Sequence, residues 1–272
     1  MASGNLEKMV GTLAQTVEYA LPVGETLLPL QPLLGKPFRI AHSGTINCTA
    51  CGRKTKKSYS QGHCYPCSQR LASCDLCIMK PETCHYDQGT CREPEWGESH
   101  CMQPHFVYLS NTSGLKVGIT RQTQLPTRWI DQGATEALPI FKVETRYQSG
   151  LIEVMCKSHV ADRTDWRRML KGGGDSVDLY ARRDELFNLC GDELKGFVAR
   201  FGEGALQALP EAEVTVLNYP VEQYPQKITA LNLDKTPVIE GTLLGIKGQY
   251  LILDSGVLNV RKYTGYQVTV EA

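Results

Sequence analysis

The chain has no net charge and no long apolar run. Lys+Arg and Asp+Glu are both 29 over 272 residues, so global charge names no polyanionic partner. No stretch approaches the ~20 consecutive apolar residues that cross a bilayer. The opening MASGNLEKMVGTLAQTVEY has no secretory hydrophobic region. These absences argue against a membrane partner and make a cytoplasmic location the expectation. Between Cys48 and Arg70 there is no acidic residue, against five basic ones. Outside one segment cysteine is scarce, with Cys156 and Cys190 only. A hydrophobic content of 42% with 21% charged residues fits a globular chain long enough for two or three domains.

Nine of the eleven cysteines lie between Cys48 and Cys101. In a reducing compartment such a cluster is read as metal ligands before disulfides. Cys48, Cys51, Cys64 and Cys67 form Cys-x2-Cys-x12-Cys-x2-Cys. Two such knuckles joined by a short hairpin place four thiolates at the corners of a tetrahedron, which a zinc ion accepts at about 2.3 Å per bond. Gly52 follows the first knuckle and Gly62 precedes the second, where backbone amides must turn toward sulfur. The hairpin between them carries Arg53, Lys54, Lys56 and Lys57 with Tyr59. Those residue types suit phosphate contact and base stacking; they also suit a plain solvated hairpin tip.

A second cluster follows, with Cys74, Cys77, Cys84, Cys91 and Cys101 beside His85, His100 and His105. The expectation is a second zinc on Cys74 and Cys77 plus two of Cys84, Cys91 and Cys101. Four thiolates can also hold an iron–sulfur cluster. Six acids against Lys80 and Arg92 between Cys74 and Cys101 argue against this half lying on phosphate.

The rest of the chain divides by pattern. Residues 1–46 alternate apolar and polar in short strands, giving a small β unit that can complete a C-terminal barrel. Residues 47–103 are the Cys-rich double zinc segment. Residues 204–272 are a second β unit, of the size of an SH3-like or OB-like barrel, with turns at Lys247-Gly248 and Ser255-Gly256. There Arg261, Lys262, Tyr263 and Tyr266 offer a patch that could face nucleic acid. Between them, residues 104–203 run strand, turn, strand over HFVYLSNTSGLKVGIT, then a helix from Pro126, a strand over LPIFKVETRY, a long helix capped by Ser149, and a further helix capped by Ser176 and kinked at Gly191. Leu151, Val154, Met155 and Val160 make the apolar face of the long helix. The expected class is therefore α+β: β units at both ends, a Cys-rich segment, and a central β-β-α-β-α-α module.

Val107-Tyr108, Lys116-Val117-Gly118 with Thr120, Arg128 and Glu153 come in an order that resembles the GIY-YIG endonuclease superfamily, in its phage-type K-[IV]-G-x-T branch. The resemblance covers residues 104–200, about a third of the chain. It implies that Tyr108 activates or positions water, Arg128 neutralises the phosphate with its fork of donors, and Glu153 holds one Mg2+ as a Lewis acid. Gly118 would admit substrate close to the backbone. Lys116 stands where the second tyrosine usually is and can bind phosphate instead. Asn188 is the candidate for a late asparagine. The whole chain also resembles an uncharacterised bacterial and archaeal family that pairs a Cys-rich head with a KVGIT…RWIDQGA block.

The functional expectation is a zinc-containing protein acting on DNA or RNA by Mg-dependent phosphodiester cleavage. A non-catalytic nucleic-acid-binding protein on the same scaffold and a zinc-stabilised protein-interaction adaptor are the alternatives.

Overall fold

In the computed structural model, residues 1–160, 165–172 and 174–272 are described. The chain opens with β1 (Ala2–Asn5), β2 (Val10–Thr12), β3 (Glu18–Val23), β4 (Thr26–Pro29) and β5 (Pro37–Asn47). Tyr19, Leu21 and Val23 alternate with outward neighbours along β3 and are buried, the period-two pattern of a half-buried strand. β2, β3 and β4 form a small sheet of their own. β6 (Lys54–Thr55) pairs with the end of β5, so the Cys-rich segment starts as a continuation of that strand. Three short helices follow, α1 (Tyr65–Arg70), α2 (Leu76–Met79) and α3 (Pro94–His100).

The central segment begins with β7 (His105–Asn111) and β8 (Leu115–Arg121), an antiparallel hairpin that sets Tyr108 opposite Gly118. After α4 (Thr127–Gln132), β9 (Glu136–Val143) pairs antiparallel with the other edge of β7. Then come α5 (Arg146–Lys157), α6 (Trp166–Met169), α7 (Leu179–Leu189) and α8 (Gly191–Phe201). The short strands β10 (Leu206–Ala208) and β11 (Thr215–Val216) return to pair with β9. The chain closes with β12 (Val238–Lys247), β13 (Tyr250–Leu253), β14 (Gly256–Asn259) and β15 (Tyr266–Glu271).

The largest sheet has the order β1-β15-β5-β12-β13-β14. The last strand thus lies between two N-terminal ones. One apolar core joins Leu21, Phe38 and Ile40 with Leu243, Tyr263 and Val268, and takes in Tyr108, Trp129 and Ile130 from the central segment. A second core lies between the β7–β9 sheet and the helices and includes Val107, Phe141, Ile152, Cys156, Leu186 and Phe197. The protein is a mixed α and β fold with several sheets.

Several boundaries differ from the sequence reading, each for a physical reason. The α4 helix stops at Gln132 because Gly133 turns left-handed at φ 70°, and the next strand already starts at Glu136. The α5 helix is capped by Thr145, not Ser149: Thr145 and Gln148 form a reciprocal capping box, while the Ser149 hydroxyl donates to Arg146 O. It ends at Lys157; Ile152 and Cys156 are its fully buried apolar residues, Leu151, Met155 and Val160 pack partly buried against the same core as expected, and Val154 alone of that face is turned out, 46% exposed. Asp178 caps α7 in place of Ser176, accepting from the Tyr180 and Ala181 amides. At Gly191 the chain breaks into two helices. Tyr263 and Tyr266 are buried in the core, so the patch read around Arg261 loses both its aromatics.

Candidate functional site

The first knuckle turns at Gly52, in the left-handed region at φ 69° with its amide donating to Cys48 O at 2.8 Å. The second follows Gly62 at φ 120°, where an added Cβ would lie 2.8 Å from the Thr49 side chain. Both positions therefore require glycine. The result is that Cys48, Cys51, Cys64 and Cys67 place all four sulfurs within 4.8 Å of one another. Tetrahedral Zn–S bonds demand sulfur–sulfur edges of about 3.8 Å, and Cys51 Sγ lies 3.7 Å from Cys64 Sγ. Burial works to raise the Cys48 thiol, but the amides of Cys64, Cys51 and Ala50 outweigh it and pull it down to about 6. The Cys64 side chain pushes the Cys67 thiol up to about 12, with burial adding to it. Four thiols gathered this closely must lose their protons to hold a metal ion, and the ion's positive charge would then offset the thiolates' mutual repulsion. The four-cysteine centre is compatible with zinc.

The hairpin between the knuckles projects its charge outward. Arg53, Lys54, Lys56 and Lys57 are exposed, as is Arg70. Lys57 Nζ sits 5.5 Å from the Tyr59 ring centre, and Tyr59 meets the edge of Tyr65, whose ring is 58% exposed. At the tip, Gln61 Oε1 accepts from Arg261 Nε at 2.6 Å. Arg261 in turn lies close enough to Arg128 for their like charges to act on each other.

Around Arg128 the four residues singled out by motif come together from four elements. Tyr108 on β7 is fully buried. Its ring lies over Gly118 and meets Trp129 edge-on at 5.9 Å. Gln132, one turn after Arg128, bridges the two. The amide orientation that satisfies both neighbours has Nε2 donating to Tyr108 Oη at 2.8 Å and Oε1 accepting from Arg128 Nε and Nη2 at 3.3 and 3.2 Å; the opposite orientation would aim the amide nitrogen at guanidinium donors. Burial raises the Tyr108 hydroxyl, with Arg128 pulling it back. Glu153 on α5 has a side chain only 13% exposed and an ion pair with Lys157 at 3.4 Å. Burial raises its carboxyl, and Lys157, Lys116 and Arg128 oppose that rise. Lys116, Arg128 and Glu153 thus share one electrostatic neighbourhood next to Tyr108.

Two roles change on inspection. Tyr108 has no exposed surface, so its hydroxyl meets Gln132 and not solvent water. Gly118 has a use inside the protein: an added Cβ would lie 2.7 Å from Tyr108 Oη and 2.8 Å from Cζ. Asn188 is exposed on α7. Trp129 is core, while Asp131 accepts from Lys8 at 2.7 Å and from Gln249 at 2.9 Å, tying α4 to both ends of the chain. Gln132 is legible in sequence only as the residue one turn beyond Arg128. Arg146 carries no local signal, and Arg261 is legible only as part of the basic and aromatic run Arg261, Lys262, Tyr263 and Tyr266.

In the second cluster, Cys77, Cys84, Cys91 and Cys101 line one small enclosed cavity, and Cys74 is not among its walls. Cys74 Sγ instead lies 3.9 Å from the Ser73 hydroxyl. His100 stacks on Trp96 at 4.1 Å. His105 Nδ1 contacts Gln103 O at 2.6 Å. Asp75, Cys77 and His85 also bring possible ligand atoms within 4.8 Å of one another, with the Asp75 carboxylate engaged by Arg92 Nε at 2.6 Å.

No candidate membrane-crossing helix is found among the described residues. Comparison with curated proteins and with solved structures gives no match. Residues 35–268 match the family described as "Protein of unknown function (DUF2797)". That span takes in the four-cysteine centre, the cavity cysteines, and Tyr108, Lys116, Arg128 and Glu153; the chain belongs to the DUF2797 family.

Proposed function

We propose that the protein binds nucleic acid and hydrolyses its phosphodiester bonds, as a zinc-stabilised nuclease of GIY-YIG type. What supports the reading is that Lys116 and Arg128, far apart in sequence, both act electrostatically on the buried Glu153 carboxyl, while Arg261, bonded to Gln61 at the tip of the basic hairpin, lies within electrostatic reach of Arg128. Such a grouping of cations suits a backbone carrying one charge per nucleotide.

In this reading Arg128 and Lys116 neutralise a phosphate, Arg128 with two parallel donors. Glu153, held half-buried and short of its usual acidity, can take a proton from an attacking water or hold a metal. It is a single carboxylate among cations, so Mg2+ fits here only with the substrate's own phosphate oxygens completing its shell. When bound, that ion would supply Lewis-acid stabilisation. Tyr108 serves as a positioning residue, fixing Gln132 and through it the Arg128 fork. Binding without turnover is the second reading. It is favoured by the burial of Tyr108 and by Lys116 where the superfamily's second tyrosine stands.

The test is a nicking assay on DNA and RNA with Mg2+, beside equilibrium binding. Cleavage is expected to fall by at least about 100-fold in Glu153→Gln and Arg128→Ala, with Glu153→Gln still binding. Wild-type rates in both variants would sink the nuclease assignment. Replacing Lys54, Lys56 and Lys57 with alanine should weaken binding and lower the salt slope by about 0.9 for each phosphate no longer neutralised. An unchanged slope would remove the hairpin from the interface.

A further inference from the structure

The cavity beside the second set of cysteines has the size of a single small occupant. It measures about 10 Å³, and its polar walls are Asp75, Cys77, Cys84, His85, Cys91 and Cys101. That is roughly the room one water needs, and a bare metal ion is smaller. Three of these residues are already gathered: one ligand atom from each of Asp75, Cys77 and His85 lies within 4.8 Å of the other two.

The details around Asp75 and His85 favour an ion over a plain polar pair. Asp75 stands at the N-cap of α2, yet its side chain makes no capping bond. Its Oδ2 instead accepts from Arg92 Nε at 2.6 Å. The Thr90 hydroxyl donates to the His85 carbonyl at 3.3 Å, so toward the imidazole it is an acceptor. His85 Nδ1, 2.8 Å from that hydroxyl, therefore carries the hydrogen, and in the neutral ring the lone pair sits on Nε2. Nε2 faces Asp75 Oδ2 at 3.6 Å. That separation is too long for a hydrogen bond, and lone pairs facing each other repel. It is close to the spacing of two ligands on one ion: nitrogen and oxygen about 2.0–2.1 Å from zinc, at the tetrahedral angle, stand about 3.4 Å apart.

We propose that Asp75, Cys77 and His85 hold a second zinc ion, with a thiolate from Cys84, Cys91 or Cys101 on the same wall completing the tetrahedron. Thiolate, imidazole and carboxylate are all zinc donors. Arg92 and Thr90 orient two of them, as hydrogen-bonded partners of metal ligands do. Cys74, which sequence spacing pairs with Cys77, is not a ligand: it lies off the cavity, with its Sγ beside the Ser73 hydroxyl. With four protein ligands in an enclosed space the ion has a structural role, tying α2 to the turn that carries His85. The same stretch supports α5, through Ile78 O accepting from Arg146 Nη2 at 2.7 Å and Pro81 packing on Gly150, where an added Cβ would lie 2.6 Å from the proline ring. The assignment is independent of the nuclease reading.

The experiment uses the full chain purified with its metal. Zinc is counted and zinc X-ray absorption is recorded. Expected are about two zinc per chain, with an average shell of about three sulfurs near 2.3 Å and about one nitrogen or oxygen near 2.0–2.1 Å. Cys77→Ser and His85→Ala should each surrender one zinc to a chromophoric chelator at least about 100-fold more readily than wild type while keeping the other. Cys74→Ser should hold both as wild type does. If the variants fail to fold, the absorption spectrum of the wild type decides: the mixed shell supports the site, and an all-sulfur shell overturns it. A single zinc per chain, wild-type retention of both in His85→Ala, or loss of one in Cys74→Ser also overturns it.

Discussion

Replacing Gly118 with alanine tests the packing on which the Arg128 site rests. The new Cβ would meet Tyr108 at 2.7 Å (Oη), 2.8 Å (Cζ) and 3.1 Å (Cε2). The first two contacts are closer than real Cβ atoms come, so something must move. Tyr108 cannot retreat easily: it has no exposed surface, Trp129 stands against its edge, and Gln132 holds its hydroxyl. Overpacking of this kind costs about 1–3 kcal/mol. Alanine recovers roughly 0.5–1 kcal/mol of glycine's strand penalty. The net expectation is a loss of about 1–2 kcal/mol, at roughly 2–4 °C of melting temperature per kcal/mol for a chain of this size. Gly196 is the control. It lies inside α8 with nothing within 4 Å of its would-be Cβ, so Gly196→Ala should stabilise by up to about 1 kcal/mol. Both variants are read by thermal and urea unfolding. A Gly118→Ala protein as stable as wild type would refute the wedged tyrosine, and with it the account of how Arg128 is held.

Three further outcomes are expected. Thr145→Ala should cost about 1 kcal/mol in urea unfolding, since it removes a capping box whose two arms measure 3.2 and 3.0 Å; a change below about 0.3 kcal/mol would mean the box adds nothing. Burial pulls the His105 imidazole down to about 4, with the Gln103 carbonyl opposing. Its folded value lies below its unfolded value of about 6.5, so its contribution is full above about pH 6.5. That contribution falls by about 1.4 kcal/mol per unit toward pH 4. His105→Phe should show a shallower stability loss between about pH 6.5 and 5.5, and an identical slope in both proteins would contradict the assignment. Removing zinc with a chelator, or replacing Cys48 or Cys67 with serine, should abolish one bound zinc per chain and lower the unfolding temperature, because ligand binding to the folded state alone adds its free energy to stability. A zinc count unchanged in Cys48→Ser would displace the metal from this centre.

The legible parts of the protein were the local ones. The Cys-x2-Cys spacing with Gly52 and Gly62 describes a metal knuckle because its geometry is set within a few residues. The strand–turn–strand from His105 to Arg121 could be read from alternation and the Asn111–Gly114 turn. Helix limits were less legible at Ser149 and Ser176, where hydroxyls drew attention from the true caps: Thr145-x-x-Gln148 is a capping-box pattern in plain sight, and Asp178 is as good a cap as serine. Val154 was placed inward because apolarity alone does not say which stripe of α5 faces the sheet.

Sequence by itself determined the gathering of Cys48, Cys51, Cys64 and Cys67 into a cluster compatible with zinc, the exposed basic hairpin between its knuckles and the β-β-α-β-α order that opens the central segment. These depend on contacts a few residues apart, where chain geometry leaves few choices. Tertiary structure alone decided the rest. Only folding sets β15 between β1 and β5, and only it brings Gln61 to Arg261 across 200 positions. Only it buries Tyr108 behind Gln132, and only it separates Cys74 from the other four cysteines of the second cluster. Such partners meet through packing of distant surfaces, and that packing is a property of the whole core and of no single stretch of chain.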